Sequence, residues 1–212
     1  MNYDKIRNPT DSKKFIEKYS GAWYYFLRHG YKEYDLELMP VFYNISAKAC
    51  IGQVKDLDLE TLKPSRGGVI LYTLRDGKLL FGFGLDNKYN ELTDFSGGIS
   101  YKKDDNAVIG ALRELREESL GLYDVSFEQV KNSYVLYDKH HLVLFLYTTD
   151  HPEEVVDDFR ELHKDSKKSE LKDIVWITEE ELFMAIKMKS SHIYIRLLNF
   201  LAKGGNFYRY LK

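Results

Sequence analysis

The sequence predicts an α/β sandwich on a mixed sheet, with an N-terminal extension and an extra helix at the C-terminus. Three observations lead there. The apolar run Val69–Leu74 is followed by Asp76-Gly77 and a second strand-like segment, Lys78–Leu85, the pattern of a β-hairpin. After Gly97-Gly98 the apolar residues switch to helical spacing, with Val108, Ala111, Leu112 and Leu115 on one stripe. Further on, the strand-like Asp173–Ile177 runs into Thr178 and Glu181, the two ends of a capping box.

Taken in order, residues 1–12 are polar, and Ser12–Leu27 carries Phe15, Tyr19, Trp23 and Phe26 near helical spacing, interrupted by Gly21. Trp23–Phe26 offers rings for stacking bases, but an amphipathic helix packed on the domain is the plainer reading. Val41–Ile45, Ala49–Gly52 and Leu57–Leu59 read as short strands. Pro64–Gly68 is a break that divides the chain into an extension, residues 1–65, and a catalytic domain, residues 66–212. Gly82-Phe83-Gly84 lies inside a strand and lacks the setting of a dinucleotide fingerprint, so close packing explains it better. Beyond the helix, Tyr123–Val130 reads as a strand, and Ser133–Tyr137 with His141–Thr148 as a hairpin. His140 and His141 have no metal-ligand spacing and fall at the turn of that hairpin. Asp150–Lys168 reads as a charged, mobile connection with one short helix. The closing helix is expected to be capped by Ser190 or Ser191 and to bury Ile193, Leu197, Phe200 and Leu201.

Composition narrows the function. The 212 residues include 31 Lys plus Arg against 33 Asp plus Glu, so no global field draws nucleic acid to the chain. Cys50 stands alone, which excludes an intramolecular disulfide and a cysteine-based zinc cluster. No apolar run has the length of a membrane span, and a reduced cytoplasmic setting is the expectation.

The chemistry is concentrated between Gly97 and Gly121. On a helix, Glu114, Glu117 and Glu118 stand at i, i+3 and i+4, placing three carboxylates on one face. A solvated acidic face is the ordinary explanation of such a run. Hard oxygen ligands in a cluster also suit Mg²⁺ or Mn²⁺, which would turn like-charge repulsion into binding. Ala107, Gly110 and Gly121 lie on the same side, where bulk would fill a site. Gly110 costs roughly 0.5–1 kcal/mol relative to Ala in a helix interior, so close approach by backbone or ligand is expected there. Asp104 or Asp105 can cap the start, and Gly121 can stop the helix.

This stretch resembles the Nudix box, G-x5-E-x7-R-E-U-x-E-E-x-G-U, with U aliphatic. Arg113, Glu114, Leu115, Glu117 and Glu118 match, and Asp105 stands where the first Glu belongs. One extra residue lies between Gly98 and Asp105, and Leu120 is inserted before Gly121. The resemblance covers about residues 67–188 and implies an α/β/α sandwich. It implies metal ligation by Glu114, Glu117 and Glu118, with Arg113 orienting the cluster. A further carboxylate is needed from outside the helix. Glu170, just before a strand, is the first candidate, ahead of Asp173 and of Glu153 or Glu154. Gly97 and Gly98 allow backbone to turn closely beside the bound group, and Lys102 and Lys103 can reach its phosphates.

The expected activity is Mg²⁺- or Mn²⁺-dependent hydrolysis of a diphosphate linkage in a nucleoside diphosphate joined to another moiety. Decapping of messenger RNA is the alternative, with capped RNA as partner, although the near-neutral charge speaks against it. A non-catalytic nucleotide-binding regulator is a third reading, and the intact glutamates speak against that. Isoprenyl diphosphate isomerization on this fold needs a cysteine motif that the surroundings of Cys50 lack. A second copy of the chain stays open as a partner.

Overall fold

The computed structural model describes residues 49–166 and 169–212. The helix expected over residues 12–27 and the strand expected at Val41–Ile45 lie outside the described residues. Eight strands form one mixed sheet: β1 (Cys50–Gln53), β2 (Arg66–Arg75), β3 (Lys78–Asp86), β4 (Leu92–Thr93), β5 (Phe95–Gly98), β6 (Tyr134–Tyr137), β7 (His141–Tyr147) and β8 (Leu171–Thr178). The described helices are α1 (Ala107–Glu118), α2 (Phe127–Val130), α3 (Pro152–Asp165), α4 (Glu179–Lys187) and α5 (Ile195–Lys203).

The hairpin between β2 and β3 turns at Asp76 and Gly77, with φ of 51° and 73°. Positive φ at both central residues matches the right-handed twist of the flanking strands, which is what Asp-Gly supplies. β2 pairs in parallel with β7 and antiparallel with β3 and β5. β8 runs along the other side of β3, and β1 closes the far edge on β6. Residues 50–53, within the segment read as an extension, are thus a strand of this sheet.

Alternation along the strands builds two cores. Ile70, Phe81, Phe83, Val143, Phe145, Val175 and Ile177 meet α4 and α5 on one face. Val69, Leu71, Leu142, Leu144 and Ile174 meet α1 and α3 on the other. The result is helices on both faces of a mixed sheet, as the sequence predicts. Gly82 and Gly84 are explained by close packing: a Cβ at Gly82 would stand 3.0 Å from the Trp176 ring, and one at Gly84 2.4 Å from Leu171.

Four local expectations are corrected. Residues 57–59 form a turn instead of a strand, because the Asp58 carboxylate accepts from the N–H groups of Glu60 and Thr61 (3.2 and 3.3 Å). Tyr123–Val130 ends in the short helix α2, where Gln129 Oε1 accepts from the Ser126 N–H (2.8 Å). The connection after Asp150 contains a helix of 14 residues. Its Pro152, Val155 and Phe159 give a buried stripe that the surrounding charges obscured, and Arg160 grips Asp173 of β8 through Nε (3.1 Å) and Nη2 (2.7 Å). The closing helix starts at Ile195, later than a serine cap requires. Residues 192–194 first run beside β4, with Leu92 donating to His192 O (2.7 Å) and accepting from the Tyr194 N–H (2.8 Å).

After α5, Phe207 stacks on Phe145 with ring centres 4.9 Å apart and meets Phe81 edge-on at 6.3 Å. This ring ties the C-terminus to the centre of the sheet. Phe207→Ala is expected to lower unfolding stability by about 3–5 kcal/mol in urea titrations. A loss under about 1 kcal/mol would show that the C-terminal segment is peripheral.

Candidate active site

α1 is held by its apolar stripe: Val108, Ala111, Leu112 and Leu115 are buried against β2 and β5. Its start is capped by Asn106, whose side-chain oxygen accepts from the Val108 and Ile109 N–H groups at 3.0 Å. Neither Asp104 nor Asp105 caps the helix. At the other end Leu120, with φ 58°, takes the left-handed position that glycine favours. The Gly121 N–H reaches back to Arg116 O (2.8 Å) and the Leu120 N–H to Glu117 O (3.2 Å), closing a Schellman turn. Leu120 is therefore the stop, one residue before the expected Gly121.

The side chains stacked on this helix meet at Arg113. Its Nε and Nη2 donate to the two oxygens of Asp104 at 2.9 and 3.0 Å, a bidentate pair in which the carboxylate is 2% exposed. Nη2 also donates to Gly98 O (3.0 Å), and Nη1 to Glu114 (2.7 Å) and Glu117 (3.3 Å). The hydrogen bond from Arg113 holds the Asp104 carboxyl below its usual range. The carboxylate that orients the arginine is thus Asp104; Asp105, placed there by motif spacing, is exposed. The extra residue before the helix lets the loop fold back so that Asp104 also accepts from the Ser100 N–H (2.8 Å). Gly110 leaves room for this loop: a Cβ there would stand 3.1 Å from both Asp104 and Ile99.

Glu114 is 8% exposed, and its carboxylate lies directly over Gly97. A Cβ on Gly97 would stand 2.1 Å from Glu114 Oε2, so only glycine leaves space for it. Burial pushes the Glu114 carboxyl up while Arg113 opposes the shift. Glu117 is largely exposed. The Glu118 carboxyl is pushed up to about 7, by burial first and then by the charges of Glu170, Glu114 and Glu117. Three carboxylates therefore act on Glu118, and one of them, Glu170, does so from the segment leading into β8. Its carbonyl accepts from the Asn87 N–H (2.8 Å), which ties that segment to the loop after β3.

Of the other candidates, Asp173 is occupied by Arg160 and Glu153 by Arg75 at 2.8 Å, and Glu154 is exposed in the first turn of α3. Lys102 and Lys103 are exposed in the turn before α1. Among the described residues, no three His, Cys, Asp or Glu side chains are drawn close enough to hold a metal ion. The glutamates share one face of α1, where Arg113 holds Glu114 and Glu117. The donor chemistry, oxygen-only with an excess of negative charge, is that of a hard divalent cation. Sequence reasoning missed Asp104 as the partner of Arg113. The signal available was its place one residue nearer the glycine pair.

No family model and no curated protein matches the chain. Among solved structures it is similar to a binary complex of C. elegans Ap4A hydrolase, at 18% identity over 69% of this chain and 96% of that one, with a TM-score of 0.40. A second C. elegans Ap4A hydrolase structure gives 18% identity, 69% and 97% coverage and a TM-score of 0.38. The NUDIX domain of Shewanella oneidensis NrtR, complexed with ADP ribose, gives 11% identity, 70% and 93% coverage and a TM-score of 0.38. The helix carries a Nudix-like box. Its functional reading rests on the side chains of that Nudix-like helix and on Glu170.

The raised Glu118 carboxyl has a consequence without metal. An unfolded glutamate titrates near 4.5 and the folded one near 7, so the folded state binds more protons between those values. Stability then falls as pH rises from about 4.5 to 7. Glu118→Gln removes this cost, of order 1–2 kcal/mol after screening by solvent. In EDTA the variant is expected to melt above the wild type at pH 8 and level with it at pH 4. A lower melting temperature at pH 8 would contradict the arrangement.

Proposed function

We propose that the chain is a Nudix-type, Mg²⁺- or Mn²⁺-dependent pyrophosphohydrolase that cleaves a diphosphate linkage in a nucleoside diphosphate joined to another moiety. The observation that supports this reading is that the charge of Glu170, on the segment leading into β8, bears on Glu118 of a helix whose Arg113 is locked by Asp104. A helix presents groups from one side only, and hydrolysis needs a proton acceptor facing the phosphorus from another.

Glu114, Glu117 and Glu118 would hold the cation. A divalent ion bound there supplies charge neutralization for the phosphate oxygens and a lower pKa for water. Arg113 fixes the backbone side of the site through Gly98 O, and keeps Glu114 turned over Gly97. Glu170, exposed and free to approach, accepts the proton of the attacking water at its carboxylate. Lys102 and Lys103 would meet the phosphates from the turn before α1. Residues 66–212 carry every group assigned a role.

A panel of nucleoside diphosphate derivatives, assayed with Mg²⁺ and with Mn²⁺, tests the reading. Glu170→Gln is expected to lose about 10²–10⁴-fold in kcat together with the acidic limb of the pH–rate profile. Asp173→Asn and Glu154→Gln are expected to keep near-full turnover. Full turnover in Glu170→Gln, or metal-independent activity, would overturn the assignment.

A further inference from the structure

On the face of β5 opposite α1 lies a chain of polar side chains that none of these roles uses. Gly67 and Gly97 face α1, whereas Gly68, Ser96 and Asp94 face the other way. His141, at the start of β7 and 7% exposed, stands 3.4 Å from Asp94, its Nε2 facing Oδ2. Its ring lies against Phe200, with centres 4.4 Å apart. Asp94 is 1% exposed and accepts from Ser96 Oγ (2.7 Å) and Thr93 Oγ1 (3.2 Å). A Cβ at Gly68 would stand 2.3 Å from its Oδ2, so the glycine admits the carboxylate. Burial pushes the Asp94 carboxyl up, but His141, Arg66 and Ser96 outweigh it and hold the group below its usual range.

The chain ends at Arg66. Its Nη2 donates to Ser96 Oγ (2.6 Å) and Ser96 O (3.4 Å), and its guanidinium lies 5.6 Å from the centre of the Tyr194 ring. Nε is buried without a hydrogen bond, and among the described residues Nη1 makes none. Asp94 takes hydrogen bonds from Ser96 and Thr93 at Oδ1, while its Oδ2, facing His141, has none. Arg66 lends Asp94 its charge but donates no hydrogen bond to it, so that pairing leaves the remaining N–H groups of the fork untaken. Arg66 pairs in register with Gly98, the residue whose carbonyl holds Arg113, while Gly97 beside it carries Glu114. The charge of Arg66 reaches both Glu114 and Glu118. A guanidinium tied at one corner and laid on an aromatic ring has lost most of its freedom before any ligand arrives. That favours two-point recognition of phosphate.

We propose that Arg66 binds the substrate's diphosphate from the face of β5 opposite α1, with Ser96, Asp94 and His141 as the positioning residues that hold its fork. This rests on the hydrolase reading. The test is calorimetric titration with imidodiphosphate, a non-hydrolysable probe, in excess Mg²⁺, beside titration with Mg²⁺ alone. Arg66→Gln is expected to weaken imidodiphosphate binding about 10–100-fold while Mg²⁺ alone binds as well or better, since a positive charge that reaches Glu114 and Glu118 is removed. Ser96→Ala, which takes away the hydroxyl that holds Arg66 Nη2, is expected to weaken the probe about 3–10-fold. Arg66→Lys keeps the charge and loses the fork; it is expected to recover part of the affinity, and it serves if the Gln variant does not fold. Equal imidodiphosphate affinity in wild type and the Arg66 variants would overturn the proposal while leaving the hydrolase reading standing. Failure of the wild type to bind the probe would overturn both.

Discussion

The arginine–aspartate pair between Arg113 and Asp104 is the interaction on which the site depends. It joins the loop before α1 to the middle of that helix, and through Gly98 O it joins both to the edge of β5. With the carboxylate 2% exposed and the guanidinium 29% exposed, neither is well placed to exchange its partner for water. Breaking one side of such a pair costs more than the pair contributes, because the remaining charge is left poorly solvated. Two glycines make the arrangement sterically feasible: Gly110 admits Asp104, and Gly97 admits Glu114.

Around that fixed centre the remaining carboxylates are held against their mutual repulsion. Folding places Glu118 and Glu170 near Glu114 and Glu117 because the apolar stripe of α1 and the strand β8 are buried, not because the acids attract one another. Hydrophobic packing thus supplies the free energy that assembles an electrostatically unfavourable site. Under the proposed reading, a bound cation would relieve the repulsion that, after burial, raises the Glu118 carboxyl.

Much of this was legible in the chain. The Asp-Gly turn, the apolar stripe of α1, the capping box at Thr178 and Glu181 and the alternation along β8 each carry a local physical signature, and each was found where expected. The shared helix face of the glutamates followed from i, i+3, i+4 spacing alone, while the role of Glu170 is a proposal that starts from the resemblance to the Nudix box. What the sequence hid depended on tertiary geometry. Asp104 and Asp105 are chemically identical neighbours, and only the path of the loop decides which one points inward. Asp94 and His141 lie 47 residues apart, brought together because β5 and β7 flank the same strand. The buried stripe of α3, on Pro152, Val155 and Phe159, was masked by the acidic and basic residues of its solvent side.

The arginine–aspartate pair can be tested where two adjacent residues make opposite predictions. Mn²⁺ binding, followed by the loss of the free-ion EPR signal, should be compared in wild type, Asp104→Asn and Asp105→Asn, with melting temperatures recorded alongside. Because outer partners set the orientation of metal ligands, Asp104→Asn is predicted to weaken Mn²⁺ binding roughly tenfold or more. Asp105→Asn, an exposed substitution, is predicted to stay within about twofold of wild type. Undiminished Mn²⁺ affinity in a folded Asp104→Asn variant, with the loss appearing in Asp105→Asn instead, would contradict it.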